Sequence, residues 1–378
     1  MKKRLIVSVT SDLVTDQRVH KVSQTLHENG FDVLLIGRKM KRSLPLDRRE
    51  YATTRLAPWF NKTALFYMNI NILLFFSLLF KKADVLLAND LDTLPANYLA
   101  AIIKQIPLVY DSHEYFTGVP ELQHRPLVRA IWERIEKRVF PKLAQMYTVN
   151  NSIAGLYRKK YNKKIEVVRN VPYWREGQTA PFEYPAARKI IIYQGSGIHI
   201  NRGAEELVLS AKYLRPEEYC IWIIGSGDVF ENLKTLALEN AVSDRISFID
   251  KVPFEKLRAF TLQSHLGISF DKPTNLNYLY SLPNKIFDYI HAGIPVLCTA
   301  LPEIKAIVDA YCVGSYIDRH EPEHIASRIR AAFADREMYM AWKKNTVVAS
   351  KELCWQHESK IISSIFKPYL ADAPSASV

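Results

Sequence analysis

Short apolar runs rich in β-branched residues alternate with stretches of helical spacing along the whole chain, and this alternation constrains the fold most. It is typical of βαβ units that build parallel sheets covered by helices. The predicted strands fall into two sets of six, so we predict an α/β protein with two Rossmann-like domains. The first set is Leu5–Val9, Asp32–Ile36, Asp84–Leu87, Leu108–Asp111, Met146–Val149 and Ile165–Val168; the second is Lys189–Gln194, Tyr219–Ile224, Ile246–Ile249, Leu266–Phe270, Pro295–Thr299 and Gly314–Ile317.

Between the two sets the apolar pattern stops. Residues 170–187 contain three prolines and a glycine, a composition typical of an exposed connection between domains. We therefore predict an N-terminal domain over residues 1–184, a C-terminal domain over residues 185–354, and a final helix and tail over residues 355–378. The two domains are expected to face each other across a cleft at the carboxyl ends of their strands, where such sheets bind ligands.

The segment Ser281–Pro295 predicts a short helix, with a proline near its start and a glycine at its end. Asn284, Lys285 and Asp288 would share a face near the helix N-terminus, where free N–H groups and the helix dipole favour a diphosphate. Lys285 would add positive charge, and Asp288 could accept hydrogen bonds from ribose hydroxyls. A surface helix with an Asp–Lys pair explains the segment equally well.

Two glycine turns follow the first two strands of the second set. The first contains Gly195, Ser196 and Gly197, with Arg202 at the start of the next helix, and the second begins at Gly225. Glycine lets the backbone approach a phosphate, and an arginine can hold the phosphate through several donors. An ordinary tight turn remains an alternative for each.

These segments resemble glycosyltransferase family 4, whose S-x-P-x-K-x-x-E-Y-x-x-x-G-x-P signature matches residues 281–295 with Asp288 in place of the glutamate. A second family glutamate, which touches the donor sugar, is replaced by Tyr280. The resemblance implies the GT-B fold and a retaining, hexosyltransferase-like enzyme that needs no metal ion or cofactor. It also implies a terminal helix that crosses back to the N-terminal domain, and donor contacts from Gly195, Ser196, Gly197, Arg202, Gly225, Ser281, Asn284, Lys285 and Asp288.

Catalysis by such an enzyme requires positive groups that stabilise the departing nucleotide diphosphate, and the resemblance assigns this role to Arg202 and Lys285. His113, which follows a strand of the first half, matches the family's histidine near the reacting sugar and acceptor. The alternative is a histidine in the protein core whose ring nitrogens form hydrogen bonds with neighbouring groups.

Four further residues of the first half are candidates for acceptor recognition. Asp90 and Asp92 form a D-x-D pair, which could instead bind Mg²⁺ or Mn²⁺, but it lies in the half without donor elements. Asp16 and Arg18 occupy the loop and helix start after the first strand. The expected acceptor is a glycan or a lipid-linked molecule, as in polysaccharide biosynthesis.

The segment Ala64–Phe80 carries no charge. It is shorter than the roughly 20 residues that span a bilayer. A core helix and a helix lying in the membrane interface both remain open.

The formal net charge of +12 favours phosphate-bearing ligands or weak contact with an anionic membrane. We expect no nucleic-acid partner, since no recognition motif accompanies the charge. Four separated cysteines and a short apolar start indicate a cytoplasmic protein. The Ala64–Phe80 segment and the basic charge would allow peripheral contact with the inner face of the membrane. A nucleotide-sugar 2-epimerase of the same fold, and a non-catalytic protein that binds membranes or polyanions, are the competing functions.

Overall fold

The computed structural model describes residues 2–40, 43–60, 63–123, 125–177, 179–185 and 188–370. The chain divides into two compact units, Met1–Asn170 with Gln356–Val378 and Val171–Trp355. Each unit is built on one sheet whose paired strands are all parallel. This arrangement confirms the predicted pair of Rossmann-like folds.

The first unit has a seven-stranded sheet in the order β3-β2-β1-β4-β5-β6-β7. Strand β3 was absent from the predicted set because it lies at the sheet edge and is half exposed, so it has no continuous apolar run. The strands are β1 Arg4–Asp12, β2 Asp32–Arg38, β3 Ala52–Leu56, β4 Val85–Asn89, β5 Leu108–Ser112, β6 Gln145–Thr148 and β7 Glu166–Val167, and the helices are α1 Gln17–Glu28, α2 Thr63–Phe80, α3 Leu94–Lys104, α4 Pro120–Gln123, α5 Pro126–Val139 and α6 Asn151–Tyr161.

The second unit has a six-stranded sheet in the order β10-β9-β8-β11-β12-β13, and all six strands were predicted. Alternate residues of one of its central strands, Lys189–Gly195, point to opposite faces of the sheet and enter two different apolar cores. Ile191 and Tyr193 belong to one core, and Ile192 belongs to the other. The strands are β8 Lys189–Gly195, β9 Tyr219–Gly225, β10 Ile246–Asp250, β11 Leu266–Ser269, β12 Val296–Thr299 and β13 Gly314–Ile317, and the helices are α7 Ala204–Ser210, α8 Phe230–Glu239, α9 Phe254–Gln263, α10 Leu276–Leu279, α11 Asn284–Ala292, α12 Pro302–Tyr311, α13 Pro322–Ala334 and α14 Arg336–Glu352.

In both sheets the strand order reverses beside the first strand of the unit, between β1 and β4 and between β8 and β11. The loops that leave the two strands at such a switch point diverge to opposite sides, which opens a crevice at the carboxyl edge of the sheet. Candidate binding residues are therefore expected after β1 and β4 in the first unit, and after β8 and β11 in the second.

The last helix, α15 Trp355–Phe366, returns the chain to the first unit. Glu358 of this helix is buried and accepts hydrogen bonds from the backbone N and Nε of Arg169, at 2.9 and 2.6 Å. Phe366 packs edge-on against Phe31. The predicted tail beyond residue 370 lies outside the described residues.

The second unit begins at Val171, whereas the sequence placed the boundary after residue 184. Val171 is buried in one core of the second unit, and the backbone N of Ala180 donates to the carbonyl of Ala292 at 2.7 Å. The proline-containing connection is therefore partly packed on the second sheet.

Candidate donor and acceptor sites

The two glycine turns of the second unit interlock at the carboxyl ends of β8 and β9. Gly195 and Gly225 are register partners, and Ser226 N donates to Gly195 O at 3.2 Å. A Cβ on Gly225, which has φ of +145°, would lie 1.7 Å from that oxygen. Glycine at 225 is therefore required by the close approach of the two turns, while Ser196 at the tip of the first turn is exposed.

Arg202, at the end of the first turn, is fixed by a buried carboxylate. Its Nη1 lies 3.3 Å from Oδ1 of Asp271, which follows β11 and is inaccessible to solvent. The guanidinium also stacks over the ring of Tyr278 at 4.4 Å. Burial would lower the pKa of Arg202, but Asp271 and Tyr278 raise it, so the group stays charged.

Lys285, in the first turn of α11, extends over the ring of Tyr193 at 4.1 Å. Removal from water lowers its pKa to about 8; Asp271 opposes this shift and Arg202 adds to it. Lys285 and Arg202 are therefore two cations that share one carboxylate, Asp271. The remaining positive charge could be neutralised by a bound anion.

Asp288 lies one helical turn after Lys285 and contacts the end of the same strand. Its Oδ2 accepts a hydrogen bond from Gln194 Nε2 at 3.1 Å, and Gln194 Oε1 in turn accepts one from Thr261 Oγ1 at 2.8 Å. Arg258 lines the same small depression beside Asp288. The carboxylate is half exposed, so it remains accessible to a hydroxyl donor.

The helix that carries Lys285 and Asp288 is anchored in the sheet by Tyr289. The hydroxyl of Tyr289 is shared between Ile192 O and Ile268 O, at 3.3 and 3.2 Å. Gly267 makes room for the ring, since a Cβ there would lie 2.3 Å from it. The predicted helix is confirmed over Asn284–Ala292 and ends at Gly293 with φ of +76°.

The other two predicted donor residues lie at the start of that helix. Asn284 is its first residue and is exposed, whereas Ser281 is half buried and donates from Oγ to Tyr278 O at 2.9 Å.

Several buried polar atoms near Arg202 lack a hydrogen-bond partner in the part of the chain that the structure describes. They are Nε of Arg202, Oδ2 of Asp271 and Oγ of Ser269. Unsatisfied buried polar atoms are uncommon in folded proteins, and a bound ion is one of the groups that can satisfy them. The crevice beside β8 and β11 therefore offers two cations, unused donors and the N–H groups of α11 to an anionic ligand.

In the first unit, Arg18 is buried and its guanidinium forms hydrogen bonds with other residues of the protein. It lies in the first turns of α1 and donates to both carboxylate oxygens of Asp111, at 2.9 and 2.7 Å, and to Val168 O at 2.8 Å. Both partners of this ion pair are buried. Arg18 thereby positions Asp111 at the end of β5.

His113 lies between two carboxylates. Its Nδ1 is 3.1 Å from Asp90 Oδ2, and its Nε2 is 3.3 Å from Asp111 Oδ2. Burial would lower the pKa of His113, but the two carboxylates raise it well above its ordinary value. The side chain is 21% exposed, so the group is an accessible imidazolium at neutral pH.

Asp90 adopts φ of +59°, in the left-handed region, and its Oδ1 also accepts from the backbone N of His113 at 2.9 Å. Asp92 accepts a hydrogen bond from Thr10 Oγ1 at 2.5 Å, and burial together with Asp90 raises its pKa to about 7. Asp16, another acceptor-side candidate, caps the N-terminus of α1 by accepting a hydrogen bond from Val19 N at 3.0 Å. The two carboxylates of the D-x-D thus have different protein partners.

The structure gathers the sequence-predicted residues into one group in each unit. Gly195, Arg202, Lys285 and Asp288 surround the end of β8, and Asp90, Asp92 and His113 surround the ends of β4 and β5. Sequence reasoning missed Asp271, Tyr278 and Asp111. The signal for Asp271 was its position directly after a buried strand beside the switch point.

Two family profiles together match most of the chain. The profile described as Glycosyltransferase Family 4 matches residues 16–171, and the profile described as Glycosyl transferases group 1 matches residues 178–347. No curated protein sequence matches significantly.

Solved structures resemble the chain over nearly its full length. A sucrose-phosphate synthase from Thermosynechococcus elongatus has 14% identity and a TM-score of 0.76, with 97% of this chain and 99% of that chain covered. A glycosyltransferase from Rickettsia africae has 13% identity and a TM-score of 0.73, with 98% and 100% covered. Anabaena HepE, in complex with UDP-glucose, has 13% identity and a TM-score of 0.72, with 97% and 99% covered.

Proposed function

We propose that this chain, which is a glycosyltransferase family 4-like protein with the GT-B fold, moves a hexose from a nucleotide sugar to a glycan or lipid-linked acceptor. We further propose that the reaction retains the anomeric configuration and takes place in the cytoplasm, as a step of polysaccharide biosynthesis. The observation that carries the donor assignment is the pair of cations, Arg202 and Lys285, beside the N-terminus of α11.

Loss of a nucleotide diphosphate places negative charge on the leaving group in the transition state. Arg202 is held in place by Asp271, and Lys285 by the ring of Tyr193, so neither cation has to reorganise when that charge develops. These two side chains and the α11 N–H groups supply the stabilisation, which is why we propose that no metal ion is needed. Asp288, one turn further along α11, would accept hydrogen bonds from the ribose.

The first unit would supply the acceptor side through His113. Because its pKa is raised by Asp90 and Asp111, the imidazolium would act as a hydrogen-bond donor and a positive charge rather than as a general base. Asp90, 21% exposed and bound to His113, would accept a hydrogen bond from an acceptor hydroxyl. Arg18 would act through Asp111 as a positioning residue.

Substitution of Asp288 tests the donor assignment. Asp288→Ala removes a charged hydrogen-bond acceptor, a loss of about 1.5 to 3 kcal/mol, so nucleotide affinity should fall roughly ten- to a hundredfold. Calorimetric titration with UDP, GDP and ADP measures the change. The matched control is Asp309→Ala, which removes the same charge from the exposed side of α12.

Equal nucleotide affinity in Asp288→Ala and the wild type would refute the donor assignment. Product analysis then separates the reactions. Transfer requires an acceptor and releases a nucleoside diphosphate, whereas inversion of configuration at C2 of the sugar, with no acceptor present, identifies a 2-epimerase.

A further inference from the structure

One face of the first unit is apolar although it is open to solvent. Helix α2 is the one helix in the described part of the chain that is long and apolar enough to cross a membrane, yet only 28% of it is buried. Its side chains divide by helical spacing, with Phe66, Ile70, Leu74 and Leu78 buried against the sheet. The opposite side of the helix is exposed.

Neighbouring α3 extends this exposed surface. The two helices pack on each other, and Asn71 of α2 joins them by accepting from Ala96 N at 3.1 Å and donating to Asp92 O at 2.7 Å. We call the exposed apolar surface of the two helices the α2–α3 face. Its members are Leu65, Met68, Ile72, Phe76 and Phe80 of α2 and Leu99, Ile102 and Ile103 of α3, which are between 46% and 80% exposed.

Both asparagines in α2 form hydrogen bonds within the protein. Asn69 is buried and accepts from the backbone N of Trp59 at 2.7 Å, and Asn71 is used by α3. The α2–α3 face is therefore not interrupted by these amides. Trp59 itself, just before α2, is 83% exposed. Exposed apolar patches of this kind mark interaction sites, and exposed Trp and Phe are typical of a membrane interface.

The two helices of the face carry no negative charge. Helices α2 and α3 together contain no acidic residue and a single charged one, Lys104. Lys104 Nζ donates to Lys81 O at 2.9 Å, which places it at the end of α2 next to Lys81 and exposed Lys82. Lys142 lies over Tyr98 of α3 at 5.7 Å. Lysines at the rim of an apolar surface complement an anionic bilayer.

We propose that the α2–α3 face lies flat in the interface of an anionic membrane, with its apolar side chains among the headgroups and its rim of lysines on the lipid phosphates. The helix does not span the bilayer, because its other side forms part of the core of the first unit. This binding requires no donor and no transfer reaction, so it can succeed or fail independently of the glycosyltransferase assignment.

Flotation of the full chain with vesicles tests this proposal, using phosphatidylcholine alone or mixed with phosphatidylglycerol. We expect binding to the mixed vesicles and release by high salt, since salt screens the lysine contribution. Phe76→Glu should weaken binding at least tenfold. Leu238→Glu, which changes a more exposed apolar residue in the second unit, should leave binding unchanged.

The charge contribution is tested by a double variant, Lys82→Gln with Lys142→Gln, which should lower binding to the mixed vesicles severalfold. Its control is Lys256→Gln with Lys344→Gln, the same charge change on exposed residues of the second unit. If Phe76→Glu fails to fold, Ile103→Glu on α3 replaces it.

Several outcomes overturn the proposal: no wild-type binding, wild-type binding by folded Phe76→Glu, or resistance to both salt and carbonate, which indicates a span. Dimerisation without vesicle binding, abolished by Phe76→Glu, would assign the face to a second copy instead.

Discussion

Lys285 connects the charge of the proposed donor site to pH. Its pKa of about 8 in the folded protein lies below the roughly 10.4 of an exposed lysine, so the charged form is destabilised by the fold. The stability of the free protein should therefore rise with pH between these two values. A bound diphosphate has the opposite effect on Lys285, because its negative charge stabilises the protonated side chain.

The first prediction is that affinity for a nucleoside diphosphate is constant between about pH 7 and pH 8 and falls up to about tenfold per pH unit above pH 8. Binding near pH 8 should take up a proton, which calorimetry in buffers of different ionisation enthalpy measures. Lys285→Arg keeps the charge at all these pH values and should flatten the profile. An unchanged pH profile in that variant would remove Lys285 from the diphosphate site.

The second prediction concerns His113, whose pKa is raised by Asp90 and Asp111. A raised folded-state pKa stabilises the protein fully below the unfolded value of about 6.5, and this contribution is lost as the pH rises through the folded-state pKa. Imidazole NMR signals should therefore show no titration of His113 near pH 6.5. Asp90→Asn should bring its titration down towards neutrality; titration at the ordinary value in the wild type would contradict the ion-pair geometry.

His113→Ala should lower turnover more than donor affinity, since the residue belongs to the proposed acceptor side. Removal of a charged donor costs about 1.5 to 3 kcal/mol, or ten- to a hundredfold in turnover. The comparison to make is His113→Ala against His20→Ala, because His20 is half buried in the same unit and bonds to Tyr51. Equal turnover in the two variants would give His113 a structural role alone.

At the scale of elements, the switch points explain why the candidate residues meet. Arg202 follows β8 and Asp271 follows β11, 69 positions later, yet the neighbouring strands bring them within 3.3 Å. In the first unit, Arg18 after β1 reaches across β4 to Asp111 in β5, the second strand away. Contacts of this kind depend on strand order rather than on local sequence.

The fourth prediction tests the interlocked glycine turns. Gly225→Ala would force a Cβ against Gly195 O in a backbone conformation that alanine disfavours, so it should destabilise the second unit by more than about 3 kcal/mol. Gly155→Ala is the control, because this glycine lies inside α6 with nothing near its Cβ position. That change should stabilise by about 0.5 to 1 kcal/mol. Similar denaturation midpoints for the two variants would contradict the close approach.

Sequence reasoning succeeded where a residue's environment is set locally. Buried strands such as Lys189–Gly195 showed as β-branched runs, and Gly293 marked the end of α11 because only a left-handed residue fits there. It failed for β3, whose edge position removes the apolar signal. It also missed Asp271, whose position just after a buried strand was a signal, because the sequence does not show that Arg202 lies beside this carboxylate.

At the scale of the whole molecule, the two units should respond separately to ligand. The fifth prediction is that calorimetry resolves two thermal transitions and that a nucleoside diphosphate raises only one of them. At a ligand concentration of a hundred times the Kd, the free energy of unfolding rises by about 2.7 kcal/mol. This raises the melting temperature of a unit of this size by roughly 5 to 10 °C.

EDTA should leave that shift unchanged if Arg202 and Lys285 carry the diphosphate. Limited proteolysis with UDP, GDP and ADP identifies which unit is protected, and the expected fragment is the one that contains α11. If EDTA abolishes the shift, the metal-free mechanism is wrong. If the nucleotide protects the first unit from proteolysis, the donor site lies in that unit.

The first unit is made of two stretches that are separated by the entire second unit, and this has a consequence for biosynthesis. Its seven strands leave the ribosome early, but α15, which contributes Phe366 and the buried Glu358, is translated last. Domains usually mature in the order of their synthesis. Here the order is inverted: a nascent chain can finish the second unit while the surface around Arg169 and Phe31 still waits for its covering helix.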